Sequence, residues 1–235
     1  MESHIILSGS YKNAIYSLKF TPDLPSNSLQ LLSSIPVGHR PSWITRHPSS
    51  RSVVFTGLEQ ENGRVLALEY DGEGVGRKVV EVSSGGDDPC SLLATTNELF
   101  IANVRPPLLP TPHLTHRTRQ YESGSIAIYP LSSSPPHLST LTPPKIVEFK
   151  GEGLNKDRQD SSHAHQVIMH PEREELLVLD LGADKVWRLS KSKEDGGEGG
   201  EWEISGDVSY SPGSGPRHAV LYGKLTPFSC FSHPT

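Results

Sequence analysis

The sequence predicts an all-β fold, a β-propeller of four-stranded antiparallel blades. Short runs of β-branched and apolar residues alternate with Gly, Pro, Ser and Asn clusters, which is the punctuation of strands and turns rather than of helices. A strand-opening motif also returns at about 50 residues twice and at a longer interval where two insertion-like stretches intervene, the spacing of propeller blades.

The elements follow in order. Strands at residues 4–8, 14–20 and 29–35 supply most of one blade before the first opener. Arg40-Pro41-Ser42-Trp43-Ile44 then opens a unit with strands at 42–45, 53–57, 64–70 and 78–82, and His47-Pro48 marks the turn after its first strand. Asp88-Pro89-Cys90-Ser91-Leu92 opens the next, with strands at 91–94, 99–103, 125–129 and 145–149. Ala164-His165-Gln166-Val167-Ile168 opens a third, again followed by a His-Pro pair, with strands at 165–169, 176–179, 185–189 and 202–208. Pro216-Arg217-His218-Ala219-Val220 opens a fourth at 218–222. Each run is rich in Val, Ile, Leu, Phe or Tyr, whose shapes suit a pleated, half-buried surface. Residues 105–121 and 132–144 are dense in Pro, Ser, Thr and His and are expected to be surface insertions. The Gly-interleaved acidic stretch at 194–201 is expected to be a loop tip.

Composition limits the function. The 235 residues are 34% hydrophobic with 21 Gly and 20 Pro, a turn-rich but foldable balance. A net charge of −5 argues against a nucleic-acid partner or a polybasic membrane surface. No apolar run is long enough to span a bilayer, and Met1-Glu2-Ser3-His4 does not open like a secretory signal. Cys90 and Cys230 cannot build a disulfide framework, so a reducing, cytoplasmic setting is expected.

The run 153–167, with Asn155-Lys156-Asp157-Arg158-Gln159 and His163-Ala164-His165, resembles a segment of the 6-phosphogluconolactonase-like lactonase family. Leu179-Asp180-Leu181-Gly182-Ala183-Asp184 and Gly215-Pro216-Arg217-His218 follow at that family's spacing, and Gly9-Ser10-Tyr11, Asp88-Pro89-Cys90 and Phe100-Ile101-Ala102-Asn103 also fit. The resemblance runs over roughly residues 4–222. It implies a seven-bladed propeller, of which this chain holds about four blades, as a C-terminally truncated member. On this reading residues 1–222 are a partial propeller, while 223–235 break the repeat and lie outside the fold. The implied activity is hydrolysis of a small anionic sugar lactone without a cofactor. Fungal carboxy-cis,cis-muconate cyclases share the superfamily, so a lactone-forming isomerase is the alternative, and a non-catalytic scaffold is the third. The resemblance sets the active site in the central funnel, at the starts of the innermost strands. His165 and Arg217 match positions resembling the cyclase's catalytic His and Arg, whereas a Glu and a further Arg of that pattern would fall beyond residue 235.

Chemistry supports these types. A His titrating near neutrality suits proton transfer, and an Arg can hold an anionic oxygen or carboxylate through paired N–H donors. Arg40, Asp88, Arg158 and His163 are the further substrate-binding candidates. His163 and His165 are two apart and would share a face of a regular strand, which raises a metal reading, with His39 as third ligand. No acidic or Cys cluster at ligand spacing accompanies them, so no metal is expected. Asp180 and Asp184 bracket a Gly and read as a tight turn rather than a catalytic pair. His218 is expected to pack between blades, and Trp43, Trp187 and Trp202 to fill the inter-blade core. No Gly-x-Ser-x-Gly elbow is present, and Cys90 has no evident activating partner.

Overall fold

The computed structural model describes residues 2–23, 26, 28–105, 124–192, 200–221 and 229–232, and these form five antiparallel sheets. β1 (His4–Ser8), β2 (Ala14–Phe20) and β3 (Leu29–Pro36) make the first. β4 (Ile44–Arg46), β5 (Val53–Leu58), β6 (Arg64–Tyr70) and β7 (Gly76–Ser83) make the second. The third is β8 (Asp87–Ala94), β9 (Glu98–Arg105), β10 (Ser125–Pro130) and β11 (Lys145–Glu148). The fourth is β12 (Ala164–Met169), β13 (Glu175–Asp180), β14 (Lys185–Lys191) and β15 (Trp202–Ser209). β16 (Pro216–Val220) pairs with β17 (Ser229–Ser232), so part of the segment set apart on sequence grounds adds a strand to the fifth sheet.

Each four-stranded sheet is a meander, because strands joined by short turns pair with their sequence neighbours. The sheets stack face to face around the first strands, with β8 touching both β4 and β12, and β12 touching β16. Apolar side chains fill each seam. Ile15, Leu66 and Leu68 lie between the first and second sheets, and Phe55, Leu99, Ile101 and Tyr129 between the second and third. Phe100, Phe149, Val178, Trp187 and Trp202 fill the seam between the third and fourth, and Leu179, Val186 and Ala219 the seam to the fifth. Trp187 and Trp202 thus take the expected inter-blade places. Each fully buried side chain of this size contributes about 1.5–3 kcal/mol through loss of water contact.

Residues 132–144 are not a detached surface insertion. Leu138 is 1% exposed and joins the seam between the second and third sheets. Beside it the His137 ring lies 5.2 Å from that of His47, tilted by 60°, and both rings approach the Ser132 carbonyl oxygen. Two buried anchors within a Pro/Ser-rich stretch are invisible to composition. The stretch 105–121 lies outside the described residues apart from Arg105, as does most of 194–201. Among the described residues no helix is long and apolar enough to cross a membrane.

Candidate functional site

The site is built by one repeated backbone feature. Against β9, the register of β8 slips between Pro89 and Ser91. Against β13, β12 slips between Ala164 and Gln166, and against β17, β16 slips between Pro216 and His218. The residues passed over are Cys90, His165 and Arg217. In the second sheet the corresponding opener residue is Ser42, just ahead of β4. A bulge leaves one residue out of the ladder and re-aims its side chain. All four of these residues line a single cavity of about 280 Å³ at one end of the innermost strands.

A second layer comes from the far ends of the second strands. Tyr11 follows β1, Glu59 follows β5, and Val104 is the last residue but one of β9, and each lines the same cavity. Trp43, Asp88 and His218 complete much of the wall. Gly9 lies where the first sheet meets the second opener: a Cβ there would sit 2.5 Å from the Pro41 carbonyl oxygen. Close approach of the two backbones therefore demands glycine, and the Ser10 amide donates to Pro41 at 3.0 Å.

The rings and charges are interlocked. His218 stacks nearly parallel on Trp43, with centroids 6.2 Å apart, while the His165 ring meets His218 edge-on at 5.0 Å. Arg217 Nη1 lies 3.2 Å from His218 Nε2, so the guanidinium donates and that imidazole nitrogen accepts. Burial, joined by the charge of Arg217, pushes the His165 pKa from 6.5 down to about 3. Its Nδ1 is buried without a hydrogen-bond partner. His165 is thus a neutral imidazole at any ordinary pH. His218 is lowered for the same two reasons.

Glu59 is the opposite. Burial raises its pKa above 4.5, a donated hydrogen bond from Ser42 Oγ works against that rise, and the charge of Asp88 adds to it. The charges of Arg40 and Arg217 pull the other way. A carboxylate poised upward in a wet cavity is suited to take a proton. Cys90 is not suited to attack, because complete burial pushes its thiol well above the usual range.

The expected residues separate clearly. His165, Arg217 and Asp88 come together at the cavity. Arg40 is not among the residues that line it: with positive φ, its amide donates to the Lys12 carbonyl and its own carbonyl accepts the Ser42 and Glu59 amides, so it meets Glu59 through the backbone as well as by charge. Arg158 lies elsewhere, in a small crevice with Gln159, Leu181 and the 213–215 glycine run. His163 lies just before β12 and faces Asp160 at 3.2 Å and Ser161 at 3.3 Å rather than the cavity. The shared face expected for His163 and His165 fails because the bulge at His165 breaks the alternation. Among the described residues no cluster of His, Cys, Asp and Glu is placed to hold a metal. Asp87 turns from the cavity to accept the Asn62 amide at 2.7 Å. Trp43 packs against the core between the second and third sheets, as expected, and also lines the cavity, where its Nε1 donates to the Leu92 carbonyl; His218 lines the cavity beside it.

Sequence reasoning missed Glu59 and Tyr11. The signal was in the repeat itself: each lies two residues beyond a glycine, Gly57 and Gly9, at the end of a second strand.

The family model "Lactonase, 7-bladed beta-propeller" matches residues 5–226. The 6-phosphogluconolactonase of Bacillus subtilis is 31% identical over 107 residues, covering 46% of this chain and 28% of that protein. The 6-phosphogluconolactonase of Formosa agariphila is 24% identical over 204 residues, covering 84% of this chain and 51% of its own length. A relative from Arthroderma benhamiae is 26% identical over 221 residues, 93% of this chain and 49% of that protein. The chain thus spans about half the length of the curated relatives it matches most broadly. Among solved structures, the periplasmic gluconolactonase of Pseudomonas aeruginosa superposes with a TM-score of 0.72 at 23% identity, covering 94% of this chain and 59% of that one. That likeness establishes the fold. The family match, the repeat and the five stacked sheets agree, and the chain belongs to the lactonase family of seven-bladed β-propellers.

Proposed function

We propose that this chain carries a site for hydrolysis of a sugar lactone of the 6-phosphogluconolactone type. The observation that supports it best is the convergence of Glu59, Arg217 and neutral His165 on one cavity. Glu59 draws a proton from water as the oxygen attacks the lactone carbonyl. The tetrahedral oxyanion falls to Arg217, whose donors need no reorganisation at that moment. His165 offers a neutral hydrogen bond to the sugar. As the ring C–O bond breaks, the proton held on Glu59 passes to the leaving alkoxide and the open aldonate departs. Atoms balance without a cofactor. A reducing, cytoplasmic setting accords with Cys90 being a buried free thiol.

The test is hydrolysis of 6-phosphogluconolactone and glucono-δ-lactone, corrected for spontaneous opening. Wild-type chain should accelerate at least one of them, and Arg217→Ala should lose about 10²-fold. If wild-type rates equal the spontaneous rate for both, the hydrolase reading fails and a binding scaffold is the better account.

A further inference from the structure

The end of β13 and the turn after it hold two buried aspartates that do not line the cavity, Asp180 and Asp184. Asp184 has a positive φ of 53° and is 6% exposed. Its Oδ1 accepts from the Gly215 amide and from Gln159 Nε2, both at 2.7 Å. Its Oδ2 accepts from the Gly213 amide at 2.7 Å, and its carbonyl accepts from the Tyr210 amide at 2.8 Å. The Tyr210, Gly213 and Gly215 amides belong to the segment that delivers Arg217 into the bulge of the next sheet. Gly213 and Gly215 both have positive φ, so the backbone there is bent to reach the carboxylate.

A second tie lies just past Arg217. The Ala219 amide donates to Gln166 Oε1 at 2.7 Å, across the seam between the fourth and fifth sheets. Arg217 is therefore bracketed, anchored two residues before and two residues after by side chains of the neighbouring blade. Neither Gln166 nor Asp184 lines the cavity.

We propose that Asp184 and Gln166 are positioning residues that set Arg217 across the blade boundary, and so set the affinity of the cavity for a carboxylate-bearing sugar acid. The proposal rests on the reading of Arg217 as the residue that takes the anionic oxygen. Two backbone clamps suit this task because an Arg side chain has four rotatable bonds, and its useful orientation depends on where its Cα is held. Displacement of such a group by ~1 Å can cost about 10²-fold.

The experiment is a double-mutant cycle on the purified chain, with gluconate as the anionic probe and glucose as the uncharged one. Asp184→Asn and Gln166→Leu should each weaken gluconate about 10-fold and leave glucose unchanged. In an Arg217→Ala background both should add nothing, since the cycle isolates what is transmitted through Arg217. In parallel, the Arg217 Nε resonance should shift or broaden in both variants; this readout needs neither ligand nor turnover. Additive losses in the Arg217→Ala background, or an unchanged Arg217 resonance in both variants, overturn the positioning role. A wild-type chain with the predicted Arg217 response but no lactone turnover leaves the clamp standing and removes only the hydrolase reading.

Discussion

Two groups of acidic residues in this molecule behave as opposites. In the β13–β14 turn, Asp180 is fully buried, and its Oδ1 accepts the amides of His163, Gly182 and Ala183 at 2.7, 3.0 and 3.0 Å. Its Oδ2 accepts from Trp187 Nε1 at 2.7 Å and from Ser162 Oγ. In the cavity, Glu59 has one side-chain donor, Ser42, and a neighbouring negative charge. Burial therefore acts with different results. Where donors surround the carboxylate, desolvation is offset and the residue serves as a structural node. Where they do not, the proton is held more tightly and the residue is left ready for chemistry.

Breaking the node should have the largest effect. Asp180→Ala strands five donors in the interior and should cost about 3 kcal/mol or more of unfolding free energy, measured by urea denaturation. A loss below ~1 kcal/mol would show that the turn tolerates an empty socket and would erase the contrast.

Glu59 should answer in rate rather than in stability. Glu59→Gln should lower lactone turnover by about 10²- to 10⁴-fold with little change in the denaturation midpoint. Because the charged form is the base, wild-type activity should rise with pH through a limb lying above the ordinary 4.5. Ser42→Ala removes a bond that favours the charged form and should carry that limb to higher pH. A limb unmoved in both variants would assign the titration to another group.

At neutral pH the smallest effect should come from His165, whose contribution is confined to acid. In the folded state its pKa is about 3, against 6.5 when unfolded, so only the unfolded chain binds the proton between those values. Stability should therefore rise with pH from ~3 to ~6.5, this residue contributing at most about 1.4 kcal/mol per pH unit. His165→Asn should flatten that slope. Thermal melts across pH that stay parallel for both proteins would mean His165 is hydrated rather than buried.

These two groups also show what the sequence made legible. The strands could be placed because apolar runs and turns repeat, whereas His165 and Arg217 could be named only because the runs around them resemble a known family. Asp180 and Asp184 read as a tight turn, and the structure shows Asp180 accepting the amides of that turn, since a carboxylate before a Gly turn has local amides to hold. What could not be read was direction. His163 was paired with His165 by strict alternation, and a bulge rotates the two apart. Glu59 was passed over because its role depends on Ser42 and Arg217, which come from other strands and meet it only in three dimensions. Leu138 stayed hidden inside a Pro/Ser-rich stretch because burial there is decided by a neighbouring sheet.

The bulges that carry Cys90, His165 and Arg217 separate what a residue does from what holds it. Each of these side chains stands outside the ladder that pairs its strand. Exchanging one for another therefore rewrites the vocabulary of the funnel while the grammar of the blades stays fixed. The lining of the cavity can therefore be respelled one letter at a time without redrawing the sheets.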